Sequence, residues 1–216
     1  MQSVRLAKLV SLIPKCNLLA DVGCDHGYVG IEALRSGKAK RVAFADISQP
    51  SLNKARLNCP QQFNDAVSFH CQDGLGDIDA DCAVIAGMGG LEIISILSQA
   101  RHLPQTLVLQ PMRNQLDVRR YVSRQYEIVT DVKFQDDKFY DVVVACKCNK
   151  PTVLTELELQ FGKTNLTHPS TDFINYLKLE LAKVNKILQA TNDADVVARR
   201  KLLEQTLNVM ETKLKE

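Results

Sequence analysis

The 216-residue sequence predicts an α/β fold: a doubly wound sheet of seven strands, mostly parallel with the last strand antiparallel, followed by a C-terminal antiparallel helical hairpin. Three observations predict it. Short Val/Ile/Leu/Ala runs alternate with helix-like segments over residues 1–150, as in a parallel sheet covered on both faces. Only a short polar turn separates the last two runs, so they pair as an antiparallel hairpin. Beyond residue 151 the apolar residues fall at helical spacing instead.

The elements follow in order. Leu18-Leu19-Ala20 is the first strand, and it enters Asp21-Val22-Gly23-Cys24-Asp25-His26-Gly27-Tyr28, a tight glycine turn ahead of a helix over 31–35. Residues 41–46 form the second strand, which ends in Asp46, and Ser48 caps a helix running to about Asn58. The third strand, 66–71, leads into Gln72-Asp73-Gly74. The fourth, 81–86, continues into Gly87-Met88-Gly89-Gly90 and a helix through Leu97. The fifth, 106–109, ends at Gln110-Pro111, and 115–124 is helical. Residues 127–134 and 140–148 are the final hairpin, joined by Gln135-Asp136-Asp137-Lys138. A boundary then separates a sheet domain, 1–150, from a helical domain, 151–216. In the second, Phe173, Leu177, Leu181, Val184 and Leu188 make one stripe. Val196, Leu203, Met210 and Leu214 make another beyond a turn at Asn192-Asp193, giving a coiled-coil-like pair.

Composition bounds the partners. The chain is 45% hydrophobic and 24% charged, with a net charge of +2, so no overall basic field points to nucleic acid. Lysine and arginine number 18 against 16 acids in the first 150 residues and nine against nine after them, so an RNA surface must be a local patch. Seven cysteines without a C-x-x-C pair suit thiols in a reducing cytoplasm. Cys146 and Cys148 share a strand face and make no metal knuckle, so no metal is expected. With no leader and no membrane-length apolar run, the expected location is cytoplasmic, with no membrane and no obligate protein partner.

Chemistry concentrates at the carboxyl ends of the strands, where doubly wound sheets bind ligands. A dinucleotide turn reads G-x-G-x-x-G, and its second glycine makes room for a pyrophosphate. Here the glycines are Gly23, Gly27 and Gly30, and Asp25 stands where that second glycine belongs. A carboxylate there repels a pyrophosphate and suits a cofactor with an amino group and a cationic centre, such as S-adenosylmethionine. Asp46, 25 residues after Asp21, is placed to accept two ribose hydroxyls, a spacing shared with nicotinamide enzymes. Asp73 is placed to accept from an adenine amino group. Gly87-Met88-Gly89-Gly90 lacks the Asp/Asn-Pro-Pro-aromatic and Pro-Cys signatures, and Cys82 lies at the wrong end of its strand for a nucleophile. What remains is a glycine floor that lets a flat base approach, with Met88 as core filling or as an apolar contact. Tyr28 either stacks on a base or packs under the sheet. Two basic clusters, Arg35/Lys38/Lys40/Arg41 and Arg113/Arg119/Arg120/Arg124, are either solvated helix faces or RNA-backbone contacts. The same pair of alternatives, packing element or docking arm, holds for Lys178, Lys183, Lys186, Arg199, Arg200 and Lys201 of the hairpin.

The combination of Asp21-Val-Gly-Cys-Asp-His-Gly-Tyr28 with Asp73-Gly74-Leu75, Gly87-Met-Gly-Gly90 and Gln110-Pro111 resembles the bacterial tRNA (adenine-N1)-methyltransferases that modify adenosine 22, the TrmK family. The resemblance extends through Arg5-Leu6, Phe161-Gly162 and the helical hairpin. Members commonly carry a proline two residues after the tyrosine, where this chain has Gly30. The resemblance implies a Rossmann-like methyltransferase domain, S-adenosylmethionine as cofactor, tRNA as partner, and a C-terminal domain that helps hold the tRNA. It places Asp21, Gly23, Cys24, Asp25, His26, Gly27, Asp46, Ile47, Gln72, Asp73, Gly74 and Gly87 around the cofactor. It makes Tyr28, Asn58 and Met88 the candidate catalytic residues, and Gln110, Pro111, Arg113 and Asn114 the candidate substrate contacts. Two alternatives stand beside it: a nicotinamide-dependent oxidoreductase on the same sheet, and a non-catalytic tRNA-binding module.

Overall fold

The structure, a computed structural model, describes residues 3–148, 150 and 152–215. Seven strands form one sheet: β1 (Cys16–Val22), β2 (Ala39–Asp46), β3 (Val67–Cys71), β4 (Cys82–Met88), β5 (Thr106–Pro111), β6 (Tyr126–Gln135) and β7 (Phe139–Lys147). Their order across the sheet is β3-β2-β1-β4-β5-β7-β6. Neighbours from β3 to β5 pair in parallel, and β7 runs antiparallel to both β5 and β6. The last strand is antiparallel as expected, but it lies inside the sheet and leaves β6 at the edge. The order reverses between β1 and β4, and this switch point fixes where a ligand can enter.

Two apolar layers sandwich the sheet because successive strand residues face opposite sides. On one face Leu19, Val42, Phe44 and Val84 meet α1 (Val4–Leu12), α2 (Tyr28–Arg35) and α3 (Gln49–Asn58) through Leu9, Ile31, Leu34, Leu52 and Ala55. On the other, Ala20, Val22, Ile85 and Leu109 meet α4 (Gly90–Gln99) and α5 (Gln115–Val122). No helix joins β3 to β4. Leu75, Ile78 and Ala80 of that connection fill the same layer in its place. Ser48 caps α3 as expected, its hydroxyl accepting from the Ser51 N–H.

The C-terminal region holds more than a hairpin. The short helices α6 (Glu156–Phe161) and α7 (Lys163–Thr167) precede α8 (Thr171–Leu188) and α9 (Ala194–Lys213), which pack antiparallel. Phe173, Leu177, Val184, Leu203 and Met210 are buried between the helices, whereas Leu214, expected in the stripe, is exposed. The boundary expected at residue 151 falls on a residue outside the described ones. Among the described residues all seven cysteines are free thiols, and no helix is long and apolar enough to cross a membrane.

Candidate active site

At the switch point the end of β1 and the end of β4 face each other across an open cleft of about 440 Å³. Asp21, Gly23, Cys24, Asp25, His26, Tyr28, Gly87 and Met88 line it, together with Ser3, Arg5, Leu6, Leu9, Val29 and Ala86. The turn keeps its shape through three left-handed residues: Gly23 (φ 67°), Asp25 (φ 43°) and Gly27 (φ 71°). Gly23 also meets a steric demand, because a Cβ there would lie 1.8 Å from the Met88 methyl. The floor and the turn are therefore fitted to each other. The Gly27 N–H closes the turn on the Cys24 carbonyl at 2.7 Å, and Gly27 then starts α2.

Asp21 is buried at the root of the turn, and its Oδ2 accepts the Gly30 N–H at 2.9 Å. That contact accounts for Gly30: proline has no N–H to offer, and a side chain there would meet the Phe44 ring. Burial pushes the Asp21 carboxyl up to about 7. The Gly30 N–H opposes the rise, and the nearby Asp46 charge adds to it. Burial, followed by the charges of Asp21 and Asp46, also pushes the Cys24 thiol up, so Cys24 stays protonated and unreactive at neutral pH. Asp25 is exposed, with Lys54 Nζ 3.2 Å and His26 Nε2 3.5 Å from its carboxylate. The His26 and Tyr28 rings are stacked, 5.3 Å between centroids and 6° from parallel, and Tyr28 remains 54% exposed.

Asp46 ends β2 and ties two loops together. Its Oδ2 accepts the Asp25 N–H at 3.0 Å and its Oδ1 the Ser48 N–H at 2.8 Å. A carboxylate offers about four lone-pair sites, so capacity for two hydroxyls remains. Exposed Ile47 follows it, and the Gln72 N–H reaches the Asp46 carbonyl, which sets 72–74 beside the end of β2. There Asp73 is exposed, Gly74 is buried against Ile96, and the Gln72 amide bonds its own loop at the Leu75 carbonyl. These residues form a shelf next to the cleft rather than its wall. Asn58 lies behind the turn, where its Nδ2 holds the His26 carbonyl at 3.1 Å.

The substrate candidates divide in the same way. Gln110 and Pro111 are buried. Gln110 Oε1 accepts from Arg5 Nε at 2.7 Å, and its Nε2 donates to Met112 Sδ at 3.2 Å. Arg113 is exposed and Asn114 half-buried, its Nδ2 donating to Asp117 Oδ2 at 3.2 Å. The Arg113 guanidinium lies over Gly89, and Asn114 takes a left-handed backbone (φ 58°) to start α5. The Met112 N–H bonds the Met88 carbonyl and the Gly90 N–H bonds the Arg113 carbonyl, so the 87–90 and 110–114 segments form one unit. A side chain at Gly90 would strike the Arg113 carbonyl, which is why glycine stands there.

The basic clusters resolve residue by residue. Arg119, expected on a solvated or RNA-facing surface, is 1% exposed and binds Asp131 through two hydrogen bonds and Asp141 through a third. Burial opposes its charge, but the two carboxylates outweigh that and hold its pKa above the ordinary value. Lys38 caps the end of α1 by donating to the Ser11 and Ile13 carbonyls. On the hairpin, Lys178, Lys183 and Arg200 pair with Glu211, Glu180 and Glu204, while Arg199 bonds Gln160. Lys186 and Lys201 are exposed.

Sequence reasoning gave α1 no place in the site, yet Ser3, Arg5, Leu6 and Leu9 form one wall of the cleft. The signal was present: Leu6, Leu9, Val10 and Ile13 recur at helical spacing. Arg5 is fixed by its Gln110 bond, by its own N–H on Asp136, and by the Tyr140 ring 5.4 Å away, and one terminal nitrogen lies against Gly87.

Comparison with known proteins agrees with this geometry. The family described as "Methyltransferase domain" matches residues 2–143. A putative tRNA methyltransferase of Mycoplasma genitalium is 32% identical over 163 residues, covering 70% of this chain and 73% of that protein. The tRNA (adenine(22)-N(1))-methyltransferase of Bacillus subtilis is 32% identical over 169 residues, covering 74% of this chain and 71% of that protein. Among solved structures, M. capricolum TrmK in complex with S-adenosyl-homocysteine superposes with a TM-score of 0.79 at 26% identity, covering 100% of this chain and 98% of that chain.

Proposed function

The chain belongs to the tRNA (adenine(22)-N(1))-methyltransferase family, and from that premise we propose that its cleft holds S-adenosylmethionine and directs methyl transfer to N1 of adenosine 22 in tRNA. It is an S-adenosylmethionine-dependent methyltransferase. The observation that carries the site assignment is the meeting of the acid-bearing turn, Asp21 to Tyr28, with the Gly87-Met88 floor across one cleft.

The residues present fit the cofactor. Asp21 is a buried carboxylate on the cleft wall, pushed up to about 7 by burial, and a cationic neighbour would favour its ionised form. Asp25 adds a second acid, and Arg5 on the opposite wall supplies positive charge for a carboxylate. Asp46 is assigned to the ribose hydroxyls, with Ile47, Gln72, Asp73 and Gly74 as the adenine shelf. When bound, S-adenosylmethionine supplies an electrophilic methyl group.

Everything else asked of the chain is positioning. N1 of neutral adenine carries a lone pair and no proton, so no general base is assigned. Its edge must leave the RNA stack to be reached. With no side chain at Gly87 or Gly89, the guanidinium groups of Arg5 and Arg113 close onto the backbone there, Met88 is assigned as the apolar contact for a flat ring, and the His26–Tyr28 stack forms a side wall. Arg113 and Asn114 are assigned to the RNA at the rim. The C-terminal helices are assigned to the tRNA body, a role that rests on exposed Lys186 and Lys201.

Calorimetric titration tests the cofactor assignment. S-adenosylmethionine should bind and NADH should not, and binding should weaken in Asp46→Ala. Binding of NADH in place of the methyl donor would select the oxidoreductase alternative.

A further inference from the structure

Beyond the groups that hold cofactor and base, the rim carries an apolar feature that the fold does not use. Leu91 is 61% exposed at the start of α4, and Met112 is 36% exposed just after β5. Both belong to the unit that encloses the glycine floor. Leu91 follows Gly90, whose N–H bonds the Arg113 carbonyl, and the Met112 N–H bonds the Met88 carbonyl at 2.8 Å. Arg113 links the two segments, following Met112 in the chain and accepting the Gly90 N–H through its carbonyl, and its guanidinium lies over Gly89, where any side chain would crowd it. Met112 is held from below by an amide, since buried Gln110 donates to its sulfur while accepting from Arg5.

Resting on the function proposed above, we infer that Leu91 and Met112 form a wedge that enters the RNA stack where the target adenine leaves it. An exposed apolar pair beside a cation matches unstacked bases next to a phosphate, and apolar side chains inserted between base steps are a recurrent way to open a stack. Arg113 then neutralises the phosphate at the opened step. In this arrangement Gln110 is a positioning residue for Met112 and does not itself touch the base. The wedge acts on RNA conformation and takes no part in cofactor binding.

The test separates those two roles. A tRNA transcript with 2-aminopurine in place of the target adenine brightens when that base unstacks. Leu91→Ala/Met112→Ala should bind the transcript with little brightening and should lower methylation of the ordinary transcript by about tenfold or more. Its S-adenosylmethionine affinity should stay within about twofold of wild type, because neither side chain lines the cleft. Met112→Leu should retain most of the brightening. Wild-type brightening and turnover in the double variant would overturn the inference, and so would a parallel loss of cofactor affinity. If the wild-type protein fails to bind S-adenosylmethionine at all, the function proposed above fails instead.

Discussion

Single atoms decide much of what the cleft can do. The Met88 methyl occupies the space of a Cβ at Gly23, and Gly23 also has a left-handed backbone. Gly23→Ala should therefore cost about 1–2 kcal/mol from the backbone alone. It should also push Met88 off the floor, which turnover measurements will register as a loss exceeding the drop in thermal stability. Asp21 makes a pH-dependent prediction. Its carboxyl titrates near 7 in the folded chain and near 3.9 when unfolded. The folded state therefore holds a proton that the unfolded state releases between those values. Stability from this group is present below about pH 4 and lost as pH rises towards 7, after which it is level. A cationic ligand favours the ionised carboxylate, so S-adenosylmethionine affinity should rise from pH 6 to pH 8. Asp21→Asn should flatten both dependences, as measured by urea denaturation and calorimetry. At this scale the sequence was informative about the turn, because glycines and acids at fixed spacing have few other uses. It named Asn58 and Gln110 as candidates for the site but did not reveal their partners, which lie 32 and 105 residues away in His26 and Arg5.

Among the elements, β6 explains why the C-terminal helices sit where they do. As an edge strand it would expose unpaired N–H groups. The N–H groups of Asp131, Lys133 and Gln135 are instead accepted by Thr164 Oγ1, Asn165 Oδ1 and Asp172 Oδ2. Arg119 of α5 closes the joint by donating to the Leu159 carbonyl while binding Asp131 and Asp141. Lys133 pairs with Asp141 in the same buried cluster. Asp141 is thereby held below the usual carboxylate range despite its burial. Arg119→Met should leave carboxylates buried without their partner and cost about 3–5 kcal/mol, seen as a lower urea midpoint. Unchanged stability would mean the cluster is not dry. The strands and main helices were legible from apolar runs and caps. The cluster was not, because Arg119 stands in the sequence among Arg113, Arg120 and Arg124 and nothing local distinguishes a buried guanidinium from an exposed one.

For the whole molecule, the capped edge means that sheet and C-terminal helices should unfold together. Thermal scans by near- and far-ultraviolet circular dichroism should show one coincident transition. A chain ending after β7 should aggregate through the bared edge of β6. The sheet order shows where sequence reasoning stops. Alternation identifies parallel strands, and a short turn identifies a hairpin. Neither says which strand of that hairpin lies against β5, and that choice puts β7 inside and β6 within reach of the C-terminal helices. The switch point at β1/β4 is less affected, so the cleft was better placed by the sequence than the C-terminal joint was. The most direct measurement maps the product. Unmodified tRNA should be incubated with the protein and S-adenosylmethionine, then read by primer extension and nucleoside mass spectrometry. A stop at adenosine 22 together with N1-methyladenosine, both lost when that adenosine is replaced, is the predicted result. Methylation at another atom or position, or label found only on protein, would contradict it.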